Sequence, residues 1–97
     1  MSCSGECIGY STKTASRRGE CPKDCIKNIL IQLQAAAEKE ARENANDKCF
    51  GDDCECKAES IEVIGSGCET HRLGDPCGDI CVYHVTVVYK GVCKSKP

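Results

Sequence analysis

The chain has no tryptophan, one phenylalanine, three tyrosines and one methionine among its 97 residues. Leu, Ile, Val and Phe together number 17, under a fifth of the chain. A single domain of this length buries roughly 60–70% of its unfolded surface, and so lean a set of large side chains makes a thin core. Something besides apolar burial must hold it. Long apolar runs are also missing. No aliphatic run exceeds three residues, as in Ile29-Leu30-Ile31, which excludes a membrane-spanning helix. The formal net charge is only −2. A chain poor in aliphatics reads as disordered only when its charge is also far from zero. A near-neutral balance likewise argues against a nucleic-acid binder, which carries a basic stripe with interleaved aromatics. Arg17-Arg18 is an isolated basic pair and reads as solvated surface. There is no phosphate-cradling glycine loop, no paired-carboxylate signature and no Asn-x-Ser/Thr acceptor. No catalytic residue is assigned, and the expected role is non-enzymatic.

What the sequence does have is cysteine, eleven of them. A density above about 10% in a short chain marks a domain held by disulfides or by metal. No two are spaced Cys-x-x-Cys, which weakens the zinc-ribbon, iron–sulfur and thioredoxin readings. Disulfide-dense small domains belong to oxidising spaces, so an extracytoplasmic location, secreted or periplasmic, is expected. Met1-Ser2-Cys3-Ser4-Gly5 has neither the positive start nor the apolar stretch of a secretory signal. The expectation is therefore that Met1 stands in for a signal that has been removed. One alternative is a cytoplasmic protein whose thiolates hold Zn²⁺ or Cu(I) for storage or sensing, and a second is a thiol–disulfide redox protein, whose attacking and resolving cysteines need not be adjacent in sequence.

Residues 1–97 read as one domain with four segments. The first twenty are rich in Gly and Ser, with a short strand over Cys7–Thr12. A helix is expected from about Pro22 to Asn46, with Pro22 at its first position and Asp24 in its first turn. Ile26, Ile29, Leu30, Leu33, Ala37 and Ala41 form one stripe at helical spacing. The stripe thins from Ile to Ala, so the C-terminal half must pack closely or stay exposed. Lys48 to Cys56 reads as an acidic, cysteine-rich loop. Cys56–Ile64 and Ile80–Val92 form a β-hairpin, with Gly65, Gly67, Gly74, Pro76 and Gly78 in the connection. The fold class is thus α+β: one long helix packed on a small antiparallel sheet in β-α-β-β order, stapled by four or five disulfides. That order is compatible with dodecin-like and double-stranded-RNA-binding-like layouts, and such analogy says little about function.

The hairpin cysteines carry a register argument. Antiparallel partners share one index sum, and both Cys56 with Cys93 and Cys68 with Cys81 give 149. These two pairs are the expected disulfides. That register also sets Glu59 opposite Lys90 and Ile61 opposite Val88. Matching the apolar face Tyr83, Val85, Val87, Tyr89 to Ile61 and Val63 instead needs an even sum such as 150. A β-bulge would satisfy both in different parts of the hairpin.

Cys-x-x-x-Cys occurs at Cys3/Cys7, Cys21/Cys25 and Cys77/Cys81. The first two, thirteen residues apart, are similar in spacing to those of the small Tim chaperones of the mitochondrial intermembrane space. That resemblance implies a helical hairpin, and the β-rich remainder of this chain speaks against it. Cys21 and Cys25 would lie one turn apart at the helix start, either gripping a soft metal or tethering the helix by disulfides. Cys49, Cys54 and Cys56 form the densest cluster. With Cys21 and Cys25 they are the candidate ligands should the chain bind Zn or Cu; otherwise no cofactor is expected. His71, in the hairpin connection, reads as a solvated loop residue and His84 as a strand residue. The partner is a protein or a small ligand. The odd cysteine count leaves one sulfur for a homodimer link.

Overall fold

The structure is a computed structural model that describes residues 3–96. Its elements run β1 (Glu6–Arg18), α1 (Lys27–Asn46), β2 (Cys54–Arg72) and β3 (Asp79–Ser95). The strands form one antiparallel sheet in the order β1-β3-β2, and α1 lies on one face of it. This is the expected α+β architecture with one helix on a small antiparallel sheet. Among the described residues, no helix is long and apolar enough to cross a membrane.

β3 is central, with β1 on one side and β2 on the other, and its β-rich run Val87, Val88 and Tyr89 is buried in succession. Toward the helix it presents Cys81, Tyr83, Val85, Val87, Tyr89 and Cys93, each no more than 5% exposed. β1 pairs with it without a break from Glu6/Val92 to Arg18/Ile80. It is thirteen residues long, about twice the expected strand, because Thr12 and Thr14 continue the extended stretch that the glycines obscure.

The β2–β3 ladder uses three registers in turn. Cys54 to Ala58 follow the sum of 149, so Cys56 does lie opposite Cys93. Ser60 to Val63 follow 150, which places Ile61 opposite Tyr89 and Val63 opposite Val87. From Gly65 to Arg72 the sum is 151. The shifts fall between Ala58 and Ser60 and between Val63 and Gly65. Gly65 and Gly67 are thus strand residues, not part of the connection, which shrinks to residues 73–78.

The helix begins at Lys27 rather than near Pro22. Pro22 and Asp24 lie in an irregular segment that two disulfides, Cys21–Cys81 and Cys25–Cys68, hold against the sheet. Ile26 sits at the N-cap with an extended backbone and no side-chain capping bond. Its N–H donates instead to the Tyr83 hydroxyl, 3.3 Å away. Further along, the alanine half of the stripe packs closely. Ala37, Ala41 and Ala45 are fully buried, and they can approach because β1 offers Gly9 beneath them. A Cβ at Gly9 would collide with the Ala41 carbonyl oxygen and the Ala45 nitrogen.

Candidate functional site: a groove beside the helix and two sulfur clusters

Ten cysteines are paired: Cys3–Cys54, Cys7–Cys56, Cys21–Cys81, Cys25–Cys68 and Cys49–Cys93. Both expected hairpin pairs are corrected. Cys56 faces Cys93 across the ladder, but its sulfur goes to Cys7 on β1, and Cys93 goes to Cys49 just beyond the helix. The Cys7–Cys56 bridge crosses the central strand beside Gly91, which stands opposite both Cys7 and Ala58 and has no side chain to block it. Cys68 misses Cys81 because the two bulges displace it by two places, setting it opposite Tyr83. Each instead bonds to the segment before the helix.

Cys21 and Cys25 therefore tether the helix start, and they do so from outside the helix. The loop trio Cys49, Cys54 and Cys56 does not form one unit, since its members bond to Cys93 of β3, to Cys3 ahead of β1 and to Cys7 of β1. The sulfurs fall instead into two groups at the two ends of α1. Cys7, Cys49 and Cys93 have sulfurs all within 4.8 Å of one another, with Cys56 bonded to Cys7. Cys21, Cys68 and Cys81 meet the same distance condition, with Cys25 bonded to Cys68. The unpaired cysteine is Cys77, exposed in the 73–78 turn. His71 lies at the end of β2 opposite Ile80 and is 3.8 Å from the Glu69 carboxylate. His84 faces away from the helix, across from Gly67.

Because α1 lies over β1 and β3, β2 is left as an edge strand in which Cys56 alone is buried. Between α1 and β2 runs a groove made of two adjoining depressions of about 340 and 330 Å³. Tyr89 and Arg42 belong to both. Tyr89 forms the floor and its hydroxyl donates to the Cys56 carbonyl at 3.2 Å. Ile61 faces the helix side yet is 48% exposed, and Val63 beside it is 41% exposed. Arg42 and the strand stretches Glu55–Ala58 and Lys94–Ser95 line the second depression, and since Cys56 and Cys93 face the helix, the side chains of Glu55, Lys57 and Lys94 belong to the other face of the sheet. Such a concavity, apolar below with Arg42 shared by both its parts, suits an apolar side chain flanked by an acidic one.

One of the two registers read from the sequence, the sum of 150, put Ile61 and Tyr89 on one face, but neither gave a sign that the helix would leave Ile61 half exposed. The readable signal was the β-rich run at Val87–Tyr89, which suits a strand with a neighbour on each side and so leaves β2 at the edge. On the other flank, Glu40 of α1 accepts from Lys13 and, at 3.2 Å, from the Ser11 hydroxyl. The Lys13 hydrogen bond foremost, then that from Ser11, holds the Glu40 carboxyl below its ordinary value. This contact fastens helix to β1 and offers no reactive group.

No protein-family model matches the chain, and no curated protein and no solved structure shows significant similarity to it.

Proposed function

We propose that this chain is a non-enzymatic, disulfide-stapled interaction module that works in an extracytoplasmic space, secreted or periplasmic, and takes a segment of another protein into the groove between α1 and β2. The observation that carries the reading is the apolar side of β2: Ile61 and Val63 point toward the helix layer and are left 48% and 41% exposed. Exposed apolar surface with a polar rim marks an interaction site. The two bulges interrupt β2's outer edge and discourage strand addition along it, so the groove is favoured over the edge. Arg42, which lines both depressions, favours an acidic residue beside the apolar anchor. Five disulfides fit an oxidising compartment. Cys77 is the sulfur through which a second copy would be linked.

Selection of displayed random peptides on the oxidised protein tests this. Enriched peptides should pair a large apolar residue with an acidic one and lose binding at least tenfold to an Ile61→Lys variant. Peptides that bind the variant equally well, or a library that yields no enrichment, would overturn the reading. A thiol count on the same sample, denatured with chelator and no reductant, should find one thiol.

A further inference from the structure

We propose that each of the two four-sulfur clusters becomes a zinc tetrathiolate site when the chain is reduced, so that the protein takes up two Zn²⁺ in exchange for four disulfides. The first site is Cys7, Cys49, Cys56 and Cys93; the second is Cys21, Cys25, Cys68 and Cys81. This inference concerns the reduced chain and stands apart from the groove, which belongs to the oxidised one.

Geometry is the argument. Four thiolates around Zn²⁺ at about 2.3 Å in a tetrahedron lie about 3.8 Å from one another. In each cluster three sulfurs are already within 4.8 Å of each other and the fourth is bonded to one of the three. Opening the disulfides lets each bonded pair part from about 2 Å to about 3.8 Å and lets the fourth sulfur join the other three. The donors of the first site come from four separate parts of the chain: β1, the turn after α1, β2 and β3. They are 1%, 9%, 3% and 5% exposed respectively, so water is kept off three or four sides of an ion placed there. The second site draws on the segment before α1, β2 and β3; Cys81 within it is 1% exposed, and Cys21, Cys25 and Cys68 are half-buried. Four sulfur donors in a closed setting favour Zn²⁺ over cations that prefer oxygen. An ion at each site would rejoin the elements that the disulfides had joined, and metal binding would then supply folding energy.

The chemistry balances within each cluster. Two dithiol molecules each deliver two electrons and two protons to one S–S bond and close to their own cyclic disulfides. Four cysteine thiols result. Zn²⁺ then displaces their four protons and leaves a site of net charge −2. A disulfide oxidant runs the sequence backwards: the S–S bonds re-form and the ion is released.

The experiment uses the full chain. It is reduced with a phosphine, which takes an oxygen from water as each S–S bond opens to two thiols, and is then titrated without air with Co²⁺ and afterwards Zn²⁺. Two Co²⁺ per chain are expected, with the intense visible bands of a tetrahedral thiolate site that vanish as Zn²⁺ replaces them. Brief alkylation of the zinc-loaded chain, mapped by peptide mass, should label Cys3, Cys54 and Cys77 and spare the other eight. A combined Cys3→Ser, Cys54→Ser, Cys77→Ser variant should still bind two ions. Any stoichiometry other than two, a weak octahedral cobalt spectrum, labelling of a cluster cysteine as fast as Cys77, or loss of an ion from the triple variant overturns the proposal.

Discussion

Two glycines of the same strand system have opposite roles, which the space around them decides. Gly9 is where the helix touches the sheet, and a methyl group there meets backbone that cannot turn aside. Gly9→Ala is expected to lower stability by about 2 kcal/mol, in the range of overpacked cores, read as a fall in the urea midpoint of the oxidised protein. At Gly65 nothing lies within 4 Å of the place a methyl group would take. Gly65→Ala should leave the midpoint unchanged or raise it by up to about 1 kcal/mol, through a less flexible unfolded chain. Glu40 supplies a pH test at the same scale. Its carboxyl is held below the ordinary value, chiefly by the Lys13 hydrogen bond. A depressed acid contributes stability above its unfolded pKa and loses that contribution as the pH falls through its folded pKa. Urea midpoints measured downward from neutral pH through the carboxylate range should therefore fall less steeply in Lys13→Met than in the parent. An identical slope would remove this contact from the acid response. The sequence hinted at little of this. Gly9 looked like a reason to doubt a strand, whereas it is the seat that lets Ala41 and Ala45 come close.

At the scale of elements, sequence signals held where they were local and failed where covalent or long-range contacts outweighed them. The alanine stripe and the high β-propensity from Val82 to Tyr89 named the helix and the second strand of the hairpin. The two competing registers, 149 and 150, are both present, separated by a bulge, the arrangement that satisfies both patterns. The second bulge, to 151, had no counterpart in either pattern, and it is what parts Cys68 from Cys81. Pro22 and Asp24 are sound helix-start residues, yet the bonds from Cys21 and Cys25 to β3 and β2 pull that stretch onto the sheet. As a result α1 starts at a position with no good cap. Ile26 has the extended backbone of an N-cap, no side-chain bond to the first turn, and no acidic residue in that turn. It is also 39% exposed, so little burial is lost on replacing it. Ile26→Asp should stabilise the oxidised protein by about 1 kcal/mol, seen as a higher melting temperature. A lower one would mean that the exposed isoleucine packs in a way the cap cannot replace.

The molecule as a whole is long rather than round. Its Cα radius of gyration is 17.5 Å and its extents are 61 × 22 × 17 Å, whereas a compact chain of this length would have a radius near 12.5 Å. The strands set the length, and α1, about 30 Å long, covers only part of it. So extended a body has little core per residue, which returns to the scarcity of large side chains in the sequence. The disulfides make up the difference. They join residues 43 to 60 positions apart, and in the loop-closure account each such link removes about 4 kcal/mol of unfolded-state freedom. The loops overlap, so these amounts do not simply add, but even two of them rival the whole net stability of an ordinary domain, about 5–15 kcal/mol. Reduction in the presence of a chelator should therefore unfold the chain at room temperature. Far-ultraviolet circular dichroism should lose the helical signal of α1, and small-angle scattering should show the radius rising toward about 30 Å, the value for an unfolded chain of this size. A reduced, metal-free chain that keeps its helix and its 17.5 Å radius would show that apolar packing on β3 suffices after all. The staples would then be an addition to a fold that stands without them.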